Sequence, residues 1–218
     1  MFAITRTGTQ HIDVRAGDEL PSWSAVLAQG QNTPEFKAAR DYELQQLMQM
    51  GTIVKITHLE FKRWQQRHNN HREPISSACL FKLKIGERGE VVKAKGRLVL
   101  HGNRQMKGVH YTDSSCPCLL PWQTRMLMAM AARHGAVLRT LDLPQGYLWC
   151  DRQHADDEST QTFFYLPRDI DTKHMSEGVR QTYAQARNLY GSAAGGVQLF
   201  THMEKHMPSM GFTNHPSA

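Results

Sequence analysis

The stretch LFKLKIGERGEVVKAKGRLVL, Leu80 to Leu100, decides how the rest of the chain is read. Phe81, Leu83 and Ile85 alternate with Lys82 and Lys84. After Gly86-Glu87-Arg88-Gly89, a turn by composition, Val92, Ala94, Gly96, Leu98 and Leu100 alternate with Lys93, Lys95 and Arg97. Period two on both sides of a glycine-bearing turn predicts a β-hairpin with one apolar face and one cationic face. Lys82, Lys84, Lys93, Lys95 and Arg97 share the cationic face. Like charges that close repel, so phosphate groups that neutralise them would favour the arrangement. The plainer alternative is an exposed hairpin edge guarded by lysines. The glycine-punctuated loop that follows, Gly102 to Gly108, offers backbone donors and tips the reading toward phosphate.

Around the hairpin the chain reads as mixed helix and strand, an α+β fold. Residues 1–33 are polar and weakly periodic, and read as loop. Thr33-Pro34-Glu35 has the cap, the first-turn proline and the acidic residue of a helix start. Phe36, Leu44, Leu47 and Met48 supply its apolar face and Gly51 ends it. Thr52 to Ile56 reads as a short strand. His58 to Glu73 is charged and reads as a solvated loop; zinc on His68 and His71 is disfavoured, because their spacing does not share a helical face. Cys116-Pro117-Cys118 reads as a turn. Trp122 to His134 is a methionine-rich helix ended by Gly135, with Met126, Leu127, Met130 and Ala131 expected in the core. Val137 to Asp142 alternates like a strand and breaks at Leu143-Pro144, which leaves the Asp142 carboxylate at a strand end, as a metal ligand or as the cap of a helix starting at Pro144. Phe163 to Leu166 is a short apolar run, Gly178 to Tyr190 reads as helix, and Val197 to Met207 as a last helix.

Composition excludes some classes. Hydrophobic residues make up 40% of 218, yet no apolar run approaches the ~20 residues that a membrane span needs. The N-terminal MFAITRTGTQHIDV carries no long apolar segment, and four cysteines make no disulfide framework at this length. The expectation is an intracellular protein, cytoplasmic or nuclear, with no membrane partner. The net charge of +6 hides an asymmetry: residues 55–110 hold 13 Lys and Arg against 4 acidic residues, residues 141–177 hold 8 acidic against 3 basic. Such a division suits a polyanion partner.

The stretch KGRLVLHGNRQMKGVHY, Lys95 to Tyr111, resembles the reverse transcriptases of Ty1/copia-type retrotransposons, in which K-x-R-L-V is followed by a glycine, a glutamine, a glycine and a tyrosine. Here those are Lys95, Arg97, Leu98, Val99, Gly102, Gln105, Gly108 and Tyr111. Other segments are similar in the same order: the helix around Glu43 with GTIVKI, then LFKLK, TRMLMAMAARHG, LDLPQGYL (Leu141 to Leu148) and LYG (Leu189 to Gly191). The likeness spans about residues 34–212, between a polar segment 1–33 and a tail 213–218.

The resemblance implies a right-hand polymerase, with fingers on the basic side and an incomplete palm around Asp142, built on a mixed and antiparallel sheet with helices. It implies magnesium, held by Asp142 as a catalytic carboxylate, with RNA or DNA template–primer and a deoxynucleoside triphosphate as partners. Lys95 and Arg97 would hold the triphosphate, the amides of Gln145 and Gly146 would cradle it, and the Tyr147 ring would lie under the sugar. Lys82, Lys84 and Lys93 would contact nucleic acid. The family's Y-x-D-D segment is absent from the sequence, and the paired Asp156 and Asp157 read as an acidic loop. After Gly191, Ala193, Ala194 and Leu199 stand where the family has lysine, glutamine and tryptophan.

One carboxylate does not hold two ions, so the expectation is a truncated piece of a retrotransposon polyprotein that does not polymerise DNA alone and self-associates through an exposed sheet edge. The alternative is a non-catalytic nucleic-acid-binding module using the hairpin from Lys82 to Arg97. A metal-dependent nuclease built on Asp142 and the Asp151–Glu158 loop is a third.

Overall fold

The computed structural model describes residues 2–5, 11–14, 19–20, 22–30, 33–85, 87, 91–139, 142–168, 170 and 180–211. The hairpin is its spine. β5 (Ile75–Ile85) and β6 (Val91–Leu100) pair antiparallel, with Phe81 opposite Gly96 and a register shift at Lys84/Ile85. Of the turn between them only Glu87 is described. On its other edge β5 takes β3 (Glu19–Leu20) antiparallel and β7 (Phe163–Tyr165) parallel. β7 continues to β8 (Thr182–Gln185) and β8 to β4 (Ile53–Ile56), both antiparallel, giving a six-stranded mixed sheet. A separate two-stranded ladder joins β1 (Phe2–Thr5) and β2 (His11–Val14). The α+β class holds.

Two apolar clusters pack against this sheet. One gathers Trp23 and Val26 of α1 (Trp23–Gln29), Phe36 of α2 (Thr33–Gln49), and Cys79 and Phe81 of β5. Phe81 meets Trp23 at 5.6 Å and Phe36 edge-on at 5.7 Å between ring centroids, the tilted geometries that aromatic quadrupoles favour. The second cluster joins Leu47, Ile53, Leu98, Leu100, Phe164 and Tyr183 among others. α2 can lie this close because residue 96 is glycine: a Cβ there would stand 3.3 Å from the Arg40 backbone.

Several expectations fail for physical reasons. Residues 1–33 are not loop throughout, because β3 borrows the free edge of β5 and Ser22 caps α1 by accepting from the Ala25 amide. His58 to Arg67 is helix α3: the Thr57 hydroxyl accepts from the Glu60 amide at 3.2 Å while the Glu60 carboxylate accepts from the Thr57 amide at 2.7 Å. Phe61 is buried under it, and the Trp64 ring meets Phe163 at 4.6 Å. Residues 182–185 are strand β8 where a helix is expected, since Tyr183 fits between β4 and β7; Gly178 lies outside the described residues.

Val137 to Arg139 form no strand; they find no ladder partner among the described residues, and Val137 is 81% exposed. Leu141 lies outside the described residues, and Pro144 starts no helix: α5 runs from Gly146 to Trp149, with Gln145 and not Asp142 at its cap. In α4 (Pro121–His134) only Ala131 is buried, and Met126, Leu127 and Met130 are exposed rather than core. Met48 of α2 is exposed too. The last helix, α6, spans Gly195–His206. No described helix is long and apolar enough to cross a membrane.

Candidate functional site

Three segments far apart in sequence meet around a cavity of about 820 Å³. The cationic face of β6 gives Lys93, Lys95 and Arg97. The turn into α5 gives Asp142, Gln145, Gly146 and Tyr147. α2 closes the third side with Tyr42 and Glu43, and Tyr190 completes the wall.

Close backbone approaches hold these segments in place. The Leu100 amide donates to the Tyr190 carbonyl at 2.8 Å, which docks residues 189–191 on the end of β6. A side chain on Gly102 would collide with the Gly191 carbonyl oxygen, and one on Gly191 with that of Leu100; Gly191 also has φ +79°, which glycine alone adopts at little cost. The Ala193 amide donates to the Gln105 side chain at 2.7 Å, extending the seam. On the α5 side, the Asn188 amide donates to the Cys150 carbonyl at 2.8 Å and Leu148 is buried. Tyr147 rests against Gly195, where a Cβ would be 3.5 Å from its ring. Gln145 sits at φ +57°, left-handed backbone that costs a non-glycine residue and turns the chain sharply into the site.

The register makes the charge on the hairpin explicit. Lys82 is directly opposite Lys95, and Lys84 directly opposite Lys93. Like charges placed so are destabilising until something neutralises them. Leu80, Lys82, Lys95 and Arg97 enclose a smaller cavity of about 250 Å³, so Lys95 and Arg97 border both cavities. The Arg97 guanidinium carbon lies 5.7 Å over the Tyr190 ring. Burial pushes the Tyr190 hydroxyl above its ordinary pKa, helped by the charge of Glu43 and opposed by Arg97. Burial likewise raises the Glu43 carboxyl, against the Leu98 amide that donates to it and the nearby Arg97 charge.

Six residues expected to hold nucleotide or metal, Lys95, Arg97, Asp142, Gln145, Gly146 and Tyr147, therefore share one cavity, and Lys93 joins them. Lys82 borders the smaller cavity; Lys84 borders neither and contributes only to the cationic face. Two details differ from expectation. The Gly146 amide donates to the Leu143 carbonyl at 3.0 Å and is not open to a ligand. The 102–108 loop spends donors on itself: the amides of Arg104, Gln105 and Gly108 all bond carbonyls within residues 101–111.

Sequence reasoning missed Glu43 and Tyr42 as part of this wall. The signal was Phe36, Arg40, Glu43 and Leu47, an i, i+4, i+7, i+11 stripe that places a carboxylate on a buried helical face.

Among the described residues no group of three or more His, Cys, Asp or Glu is arranged to hold a metal. Asp142 is exposed in the cavity. Asp157 is occupied with the Ser159 hydroxyl at 2.6 Å and its amide at 2.9 Å, bonds that hold its pKa down. Arg152 ties the same acidic loop together through the carbonyls of His154 and Ala155, both at 3.0 Å. His68 has its Nε2 3.7 Å from Glu158, and neither it nor His71 belongs to a metal cluster.

Residues 62–218 match the family model described as reverse transcriptase (RNA-dependent DNA polymerase). The chain belongs to the reverse transcriptase family. No curated protein and no solved structure matches it. The match takes in β5, β6, the Asp142 turn and Tyr190, but α2, which closes the cavity, lies before it.

Proposed function

We propose that this reverse transcriptase chain is of the Ty1/copia type, contributing fingers and the nucleotide-facing part of a palm, and that its larger cavity takes a deoxynucleoside triphosphate against a template–primer. The observation that carries the reading is the convergence of Lys93, Lys95 and Arg97 with Asp142 and Tyr147 around one cavity. Arg97 has the planar fork that matches phosphate oxygens, and Lys95 adds a compact charge beside it. The Tyr147 ring, propped by Gly195, offers a flat wall for a sugar. The opposed lysine pairs, Lys82 with Lys95 and Lys84 with Lys93, suit the phosphates of a nucleic-acid strand crossing the hairpin.

Magnesium is the ion this chemistry uses: a pair of ions activates the attacking hydroxyl and stabilises the leaving phosphate. Asp142 alone does not supply their ligands, so the chain by itself binds nucleotide and nucleic acid without extending a primer. The test is a template–primer extension assay with magnesium. The expected result is binding that falls steeply with salt and no synthesis above background. Synthesis that vanishes in Asp142→Asn overturns the inactivity and leaves a working polymerase.

A second reading, a non-catalytic nucleic-acid-binding module, rests on the opposed lysine pairs alone. It predicts salt-dependent strand binding that is lost when Lys93, Lys95 and Arg97 are neutralised, with no affinity for free nucleotide.

A further inference from the structure

Among the described residues β6 has one edge on β5 and no strand on the other, and along a strand the amides alternate between the two edges. The His101 amide donates to Ser76 on β5, so the amides of Leu100 and Leu98 face the open side. Leu100 finds the Tyr190 carbonyl. The Leu98 amide, on the residue after Arg97, has the Glu43 carboxylate of α2 within reach on that side. Glu43 thus closes the open edge of the strand at the point where Arg97 leaves it.

The arrangement is costly. The Glu43 Oε1 is buried with no hydrogen-bond partner among the described residues, and a buried unpaired carboxylate oxygen destabilises a fold. An apolar residue would suit the flank of Phe36 and Leu47 better. What the carboxylate does is act on the site: it borders the larger cavity and its charge bears on Arg97 and on Tyr190, the ring beneath the guanidinium.

We propose that Glu43 is the positioning residue for Arg97, clamping the β6 edge through the Leu98 amide so that the guanidinium is aimed over the cavity before a phosphate arrives. This rests on the reading of the cavity as a triphosphate site. Aiming Arg97 in advance removes ordering that binding would otherwise have to supply.

The test is calorimetric titration of the full chain with inorganic triphosphate, each variant checked by thermal melting. The wild type binds, and Arg97→Ala weakens binding by about 30-fold, the scale of a lost charge-assisted contact. Glu43→Ala weakens it by about 10-fold, and Glu43→Gln, which keeps an acceptor for the Leu98 amide, stays within about 3-fold of wild type. The double variant Glu43→Ala/Arg97→Ala binds like Arg97→Ala alone, since Glu43 acts through Arg97. If Glu43→Ala does not fold, Glu43→Asp replaces it: the charge is kept, the reach is shortened, and the same loss is expected.

Binding by the alanine or aspartate variant at or above wild-type strength overturns the proposal, as does a Gln variant as weak as Ala or a double variant weakened by both factors. If the wild type ignores triphosphate, or Arg97→Ala binds as well as wild type, the cavity reading itself falls. That result differs from one in which Arg97 matters and Glu43 does not.

Discussion

The β5–β6 hairpin and helix α4 both carry large apolar side chains at regular spacing, and they meet opposite fates. On the hairpin Phe81, Leu98 and Leu100 are buried, each met by a residue of α1, α2 or the sheet. On α4 Trp122, Met126, Leu127, Met128 and Met130 stay exposed, with Leu119 and Leu120 just before the helix. The helix forms regardless: Pro121 opens it, Gly135 closes it with φ +63°, and Arg133 and His134 suit its negative end. Caps and local spacing thus build an element, while burial needs a partner from elsewhere in the chain. The proposed site lies on the first region, where packing on α2 and the sheet fixes the strand that carries Lys93, Lys95 and Arg97.

The contrast can be broken by mutation, starting where the effect is largest. Phe81→Ala removes a ring packed between Trp23 and Phe36 and should lower stability by about 3–5 kcal/mol in chemical denaturation. A change near zero would mean that the hairpin is no better packed than α4. Next, Arg97→Ala should cost about 2 kcal/mol in triphosphate binding and leave the melting temperature nearly unchanged, because the side chain is exposed. Loss of fold in that variant would show that the cationic face is structural.

Lys84→Glu replaces a like pair with Lys93 by an opposite one. It should stabilise the chain by about 0.5 kcal/mol and flatten the salt dependence of nucleic-acid binding, read from melts and from binding at several salt concentrations. A stabilised variant that binds as before would detach the lysines from nucleic acid. The smallest effect belongs to Met126→Gln, which should move stability by less than about 0.5 kcal/mol while reducing uptake of a dye that reports exposed apolar surface. A loss of several kcal/mol there would mean that α4 is packed after all.

What the sequence made legible follows the same division. The hairpin was readable because period two is a local property, and its cationic residues did fall on one face. α2 and α4 were readable because helix-start residues and glycine stops are local as well, and the final helix because Pro208 follows it. The cavity was legible only through resemblance: spacing cannot show that Asp142 and Lys95 line one cavity, or that Gly102 and Gly191 meet backbone to backbone where Tyr190 joins its wall.

Two misses had signals in plain view. Thr57-His58-Leu59-Glu60 is the capping box that starts α3, and its charged face disguised the helix. Glu43 on a buried stripe marked a carboxylate that borders the cavity. Other misses had none. Val137 to Arg139 alternates like a strand yet finds no ladder partner among the described residues, and residues 182–185 become β8 through pairing with Ile53–Ile56, more than a hundred residues upstream. Ladder partners that distant are invisible in a local pattern.

The most direct test of the central claim is to titrate the isotope-labelled chain with a deoxynucleoside triphosphate and map which backbone amides respond. Saturable shifts concentrated at residues 93–98 and 145–147, with a smaller response at Tyr190, are expected. Shifts confined to the Asp151–Glu158 loop, or none at all, would contradict it.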